Sequence, residues 1–116
     1  MREKRQFPRI EKILPITLVG ESFTVEAKTK DISASGTYCT VSRPIPEFSK
    51  LAITLNLPEN KGIRCQGVVV RAGEIQRENG GPSIHFAAIY FTDIQSQDRK
   101  RIEQYVARHL NQKGTP

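Results

Sequence analysis

Residues 13–30 read ILPITLV, then Gly20-Glu21 in the middle, then SFTVEAKTK, and in the second run Phe23, Val25, Ala27 and Thr29 fall on one face. Alternation of this kind marks a half-buried strand, because successive side chains of an extended chain point to opposite sides. With a Gly-Glu turn between them the two runs form a hairpin. The pattern repeats downstream. After DISASG (31–36) come GTYCTV (36–41), a loop bounded by Pro44 and Pro46, LAITLNL (51–57), a turn around Pro58 to Gly62, IRCQGVVVRA (63–72), the turn Asn79-Gly80-Gly81-Pro82, and SIHFAAIYF (83–91). Gly, Pro, Asn and Asp separate the runs, as turn chemistry requires. Six strand-like runs at this spacing point to a mainly β fold, a closed or nearly closed antiparallel barrel.

The period changes near the C-terminus. Ile102, Tyr105, Val106, His109 and Leu110 recur at helical spacing, with Ser96 placed as N-cap and Asp98 near the positive end of the helix dipole. Arg99, Lys100, Arg101 and Arg108 lie on the polar face, a solvated surface. A chain of 116 residues accommodates one domain. Its expected division is a flexible basic N-terminal segment (1–12), a barrel with its helix (13–112) and a short tail (113–116).

Composition narrows the function classes. No apolar run approaches the roughly 20 residues of a membrane span, and the start MREKRQFPRIEK has no apolar stretch of the signal-peptide kind, so a cytoplasmic location without membrane insertion is expected. Cys39 and Cys65 match no metal spacing and sit in apolar runs, where a thiol packs as a small hydrophobe. The net charge of +6 is concentrated at the ends, +3 over residues 1–12 and +4 over residues 99–116, with −1 between them. A basic terminus attracts phosphate of any origin and is equally a common solvated tail.

Motifs for catalysis are lacking. There is no phosphate-cradling Gly-Lys-Ser/Thr loop, no Gly-x-Ser-x-Gly elbow and no close carboxylate pair in a known motif. His85 and His109 are far apart and have no Cys or carboxylate at ligand spacing, so no metal site, no cofactor and no enzyme activity are expected.

Two segments do carry binding chemistry. RQFPR (5–9) precedes the first strand, and Pro8 pushes Phe7 toward an extended conformation. Along an extended chain Arg5 and Arg9 point the same way, up to about 13 Å apart, the reach of a dinucleotide. Arginine suits such a ligand because its planar fork binds phosphate through two bonds and also lies flat on a purine ring. The second segment is DISASG. As a turn, its Asp and Ser bond local backbone and its Gly supplies a positive φ. As a ligand surface, Asp31 can accept from guanine N1–H and the exocyclic amine, Ser33 adds a polar contact and Gly36 permits close backbone approach.

Together these segments resemble the signature of the PilZ family: RxxxR followed, one hairpin later, by [D/N]xSxxG, matched here by Arg5, Arg9, Asp31, Ser33 and Gly36. The late strand AIYFTDI (88–94) and the closing helix extend the resemblance over residues 3 to 110. It implies a six-stranded antiparallel β-barrel with a C-terminal α-helix that binds cyclic di-GMP. The Arg pair would hold phosphates and guanines while DISASG lines the surface beneath. The family often has Gly at the position of Ala88, so the methyl group there bears on packing at the site. Lys4, directly before Arg5, adds a cation that either recruits a second ligand molecule or stays in solvent.

The reading this supports is a cyclic di-GMP receptor that passes the second-messenger level on by ordering of its N-terminal arginine segment. Its downstream partner would be a flagellar, polysaccharide-synthesis or regulatory system. The alternative is a basic small-barrel module for single-stranded nucleic acid or an acidic protein, disfavoured by the near-neutral middle of the chain and only 7% aromatics. A PilZ-like fold that has lost its ligand and survives as an interaction domain is a third, opposed by the intact five-residue signature.

Overall fold

In the computed structural model, which describes residues 7–58 and 62–113 and side chains through residue 110, strand β1 is Ile10–Glu11, and the expected hairpin is β2 (Pro15–Val19) with β3 (Thr24–Ser33). Register sets Ile16 opposite Ala27 and Leu18 opposite Val25. Leu18 and Val25 turn inward and are buried. On the outer face the Thr17 hydroxyl donates to Glu26 at 3.0 Å. This is the alternation that the sequence predicts.

At ten residues, β3 outruns β2, and its second half pairs with β4 (Gly36–Val41). The remaining strands are β5 (Lys50–Leu55), β6 (Ile63–Ile75) and β7 (Ile84–Asp93). β2 pairs with β5, β5 with β6, β6 with β7, and β7 with β4, which returns to β3. Six antiparallel strands thus close on themselves, which removes the exposed sheet edges an open sheet would leave. The interior is filled by branched aliphatics, with Leu18, Ile32, Leu55, Ile63 and Val69 fully buried. Each contributes roughly 1.5–3 kcal/mol by leaving water.

β1 is a short addition outside this ring. It pairs with β3 through Ile10 opposite Ile32 and Glu11 opposite Asp31, and Ile10 is buried in the core. The sequence boundary at residue 12 therefore falls beyond the point where the chain joins the barrel. Thr29 organises the step from β1 to β2: its buried hydroxyl donates to the Lys12 carbonyl at 2.6 Å and accepts from the Leu14 N–H at 2.9 Å.

The chain ends in helix α1 (Ser96–Lys113), packed on β1 and β3. Its first backbone bond runs from Arg99 N–H to the Gln95 carbonyl at 2.9 Å. Gln95 is thus the cap, one residue before the expected Ser96, because the capping residue is the one whose carbonyl accepts that first bond. Ile102, Tyr105 and Val106 are buried as the periodicity predicts. Leu110, one turn further, is 38% exposed. No helix among the described residues is long and apolar enough to cross a membrane.

Candidate functional site

The two motifs meet where β1, β3 and β4 come together. Arg9 directly precedes β1, and its Nη1 donates to Asp31 Oδ1 at 2.6 Å across 22 residues of chain. Both side chains are partly exposed, 28% for Arg9 and 23% for Asp31, so the pair is solvated and contributes at most about 1 kcal/mol to the fold. The backbone that carries Arg9 is anchored on both sides by its chain neighbours. Phe7 packs against the core with the Arg99 guanidinium 5.5 Å from its ring centre, and Ile10 is buried in the core.

Asp31 sits on the far side of a register shift between Thr29 and Asp31, a bulge that re-aims the strand. Its carboxylate faces outward. Its backbone carbonyl accepts from the buried Thr37 hydroxyl at 2.6 Å, which fixes the strand beneath it. Arg9 and Asp31 border an open groove of about 430 Å³ whose other lining includes Gly36, Tyr38, Val70, Ala88 and Tyr90. A groove of 590 Å³ over β5 and β6 has Lys50 as its only charged lining residue.

The other motif residues are placed differently. Ser33 is fully buried, and its hydroxyl accepts from Ser35 N–H at 3.1 Å, shares a bond with the Ser35 hydroxyl at 3.0 Å and approaches the Gly36 carbonyl at 3.4 Å. It braces the turn and does not face the groove. Gly36 has no positive φ; among the described glycines only Gly80 does. Its missing side chain serves close approach instead, since a Cβ there would lie 2.2 Å from the Ile89 carbonyl oxygen on β7. Arg5 and Lys4 lie outside the described residues.

Sequence reasoning did not single out Tyr38, Tyr90 or Val70. The signal for the tyrosines was present: each stands at the outward position of a strand whose neighbours, Thr37 and Cys39 or Ile89 and Phe91, are buried. A large aromatic on the wet face beside a motif is a readable clue. Val70 could not be placed by alternation, because the register shifts between Val69 and Arg71.

The remaining reactive groups are spent on packing. Cys39 and Cys65 are buried, and burial pushes their thiols up to about 12 and about 11, so neither is a thiolate nucleophile near neutral pH. His109 Nδ1 lies 2.8 Å from the Tyr105 carbonyl. Among the described residues no three His, Cys, Asp or Glu side chains gather into a possible metal site.

A family profile described as PilZ domain matches residues 3–108. No curated protein matches the chain by sequence. Among solved structures, the inhibitor of motility MotI/DgrA of Bacillus subtilis superposes with a TM-score of 0.83 at 19% identity, over 98% of this chain and 55% of that one. The PilZ domain of YcgR from Escherichia coli, solved with c-di-GMP, gives 0.73 at 12% identity, over 96% and 97%. MrkH of K. pneumonia, solved as its c-di-GMP complex, gives 0.77 at 19% identity, over 94% and 52%. The chain thus spans about half the length of MotI/DgrA and MrkH.

Proposed function

The chain belongs to the PilZ domain family, and from that premise we propose that it is a receptor for cyclic di-GMP and not an enzyme. The observation that carries the reading is the contact between the two motifs. Arg9 and Asp31 are partly exposed at one corner of an open groove and bonded to each other at 2.6 Å. Cyclic di-GMP offers both partners more than they give each other. Its phosphates accept from arginine in pairs of parallel bonds, and its guanines present two adjacent donors to a carboxylate. YcgR and MrkH, similar in fold, were solved with this ligand.

Arg5 and Arg9 would clamp the phosphates, Asp31 would take a guanine edge, and Ser33 and Gly36 would hold the turn that aims Asp31. Lys4 would add charge at the phosphate side. The signal would pass through residues 1–9, whose arginines gain partners when the ligand arrives; Ile10, anchored in the core, is the root of that movement. Slower amide exchange at residues 1–9 on ligand addition is the expected mark, and unchanged exchange there with binding intact removes the ordering step alone. The downstream partner would be a protein of a motility, polysaccharide or gene-regulatory system met in the cytoplasm.

Titration calorimetry with cyclic di-GMP, run beside a single-stranded oligonucleotide, tests the assignment. Saturable 1:1 or 2:1 binding of the dinucleotide with no oligonucleotide binding supports it. The reverse result makes the chain a nucleic-acid module.

A further inference from the structure

Resting on the reading of this chain as a cyclic di-GMP receptor, we infer that Tyr38 and Tyr90 are the two walls of a slot on the outer face of the barrel that stacks one planar base of the ligand, over a floor made by Gly36 and Ala88.

The register places these four residues in a square. Gly36 on β4 is opposite Tyr90 on β7, and Tyr38 is opposite Ala88. The residues between them, Thr37 and Ile89, and Cys39 just beyond Tyr38 point into the core and are at most 3% exposed. The four therefore share the outer face. On it the two aromatic rings occupy one diagonal and the two smallest side chains the other. Diagonal neighbours across antiparallel strands stand about 7–8 Å apart. A flat ring in van der Waals contact with a second ring on each side, at about 3.5 Å each, needs about 7 Å. The spacing of the two positions on the sheet is thus that of one intercalated base.

The walls differ in rigidity. Tyr38 is half-buried and leans away from Tyr90 onto Phe86, with ring centroids 5.3 Å apart. Phe86 is itself covered by the Arg71 guanidinium at 5.7 Å. Tyr38 is thus a braced wall, and both it and Tyr90 line the same groove. Tyr90 is 53% exposed, a large aromatic left in water. Val70, 49% exposed at the register shift of β6, borders the same groove.

The floor explains why no larger residue occupies it. Gly36 admits no side chain, since a Cβ would meet the Ile89 carbonyl. Ala88 admits a methyl and leaves the space above it open. Asp31 is the register partner of Tyr38, so its carboxylate stands at the rim of the slot, where the donors of an inserted guanine would reach it. Stacking supplies base-tolerant affinity; the carboxylate at the rim supplies the choice of base.

The test uses the protein's own emission, since the chain has three Tyr and no Trp. Cyclic di-GMP is titrated into wild type, Tyr90→Ala, Tyr90→Phe and Ala88→Leu, with affinity from calorimetry, quenching from tyrosine fluorescence and folding from thermal melts. Wild type is expected to bind with quenching. Tyr90→Ala should lose about 5- to 100-fold in affinity at unchanged melting temperature, the range for removal of one stacked ring. Tyr90→Phe should keep wild-type affinity, because the ring and not the hydroxyl does the stacking. Ala88→Leu fills the slot while leaving both tyrosines in place and should weaken binding at least as much as Tyr90→Ala. Binding by wild type with Tyr90→Ala and Ala88→Leu unaffected overturns the slot and leaves the receptor reading intact. No binding by wild type overturns both.

Discussion

Two of the barrel's glycine-containing turns are built in opposite ways. At Ser33–Gly36 the turn is buried: the Ser33 hydroxyl is bonded inside it and a Cβ at Gly36 would strike the backbone of β7. At Asn79–Gly81 the turn lies in solvent, with the Asn79 side-chain oxygen accepting from Gly81 N–H at 3.0 Å and Gly80 at φ 80° with nothing within 4 Å of its Cβ position. The exposed turn uses glycine for backbone conformation, the buried one for space. Within the binding motif the same division recurs: the Ser33 hydroxyl is turned into the fold and Gly36 is pressed against the β7 backbone beneath the groove, while the side chains of Arg9 and Asp31 border the groove itself. The motif is half architecture and half ligand surface.

The largest expected effect tests the buried turn. Gly36→Ala forces β4 and β7 apart and should cost about 3 kcal/mol or more, the upper end of overpacking. Gly80→Ala, strained only through its φ, should cost about 1 kcal/mol. Urea unfolding of the two variants measures both, and equal losses would erase the distinction.

Next is base choice at the outward half. Cyclic di-AMP has the same phosphates, but adenine presents a bare acceptor where guanine has N1–H and lacks the 2-amino group. Wild type should prefer cyclic di-GMP by about 3 kcal/mol, from two mispaired groups. Asp31→Ala should lower affinity and narrow that gap. Competition titrations decide it, and an unchanged gap would assign Asp31 to bracing Arg9.

Arg9→Ala should weaken cyclic di-GMP binding by about 1–3 kcal/mol, the scale of a lost charge-assisted bond. Its stability should change by less than about 1 kcal/mol, because the Arg9–Asp31 pair is solvated. A large drop in melting temperature with affinity intact would move Arg9 to the architectural half.

Ser33→Ala should do the reverse at smaller scale. It leaves the Ser35 N–H without its acceptor and should cost about 1–2 kcal/mol of stability. Below the melting transition it should bind almost as wild type does. Selective loss of binding in a stably folded Ser33→Ala would place that hydroxyl at the ligand.

The sequence by itself determined the six barrel strands, the helix and the turns, but not β1, which lies inside the segment expected to be flexible. Period-2 runs such as Phe23–Thr29 and the 3.6-residue period at Ile102–Val106 record which face of each element meets the core, and that record is local. It also carried the motif residues through their resemblance to PilZ proteins. Only the tertiary structure decided what those residues face. Ser33 and Asp31 are two apart on one strand, the same side by simple alternation, yet one is buried and the other opens on the groove. Tyr38 and Tyr90 share a square only because β4 and β7 pair in one register, and a slip of one residue would turn either ring inward. Register and bulges depend on strands far apart in the chain, so no local pattern encodes them.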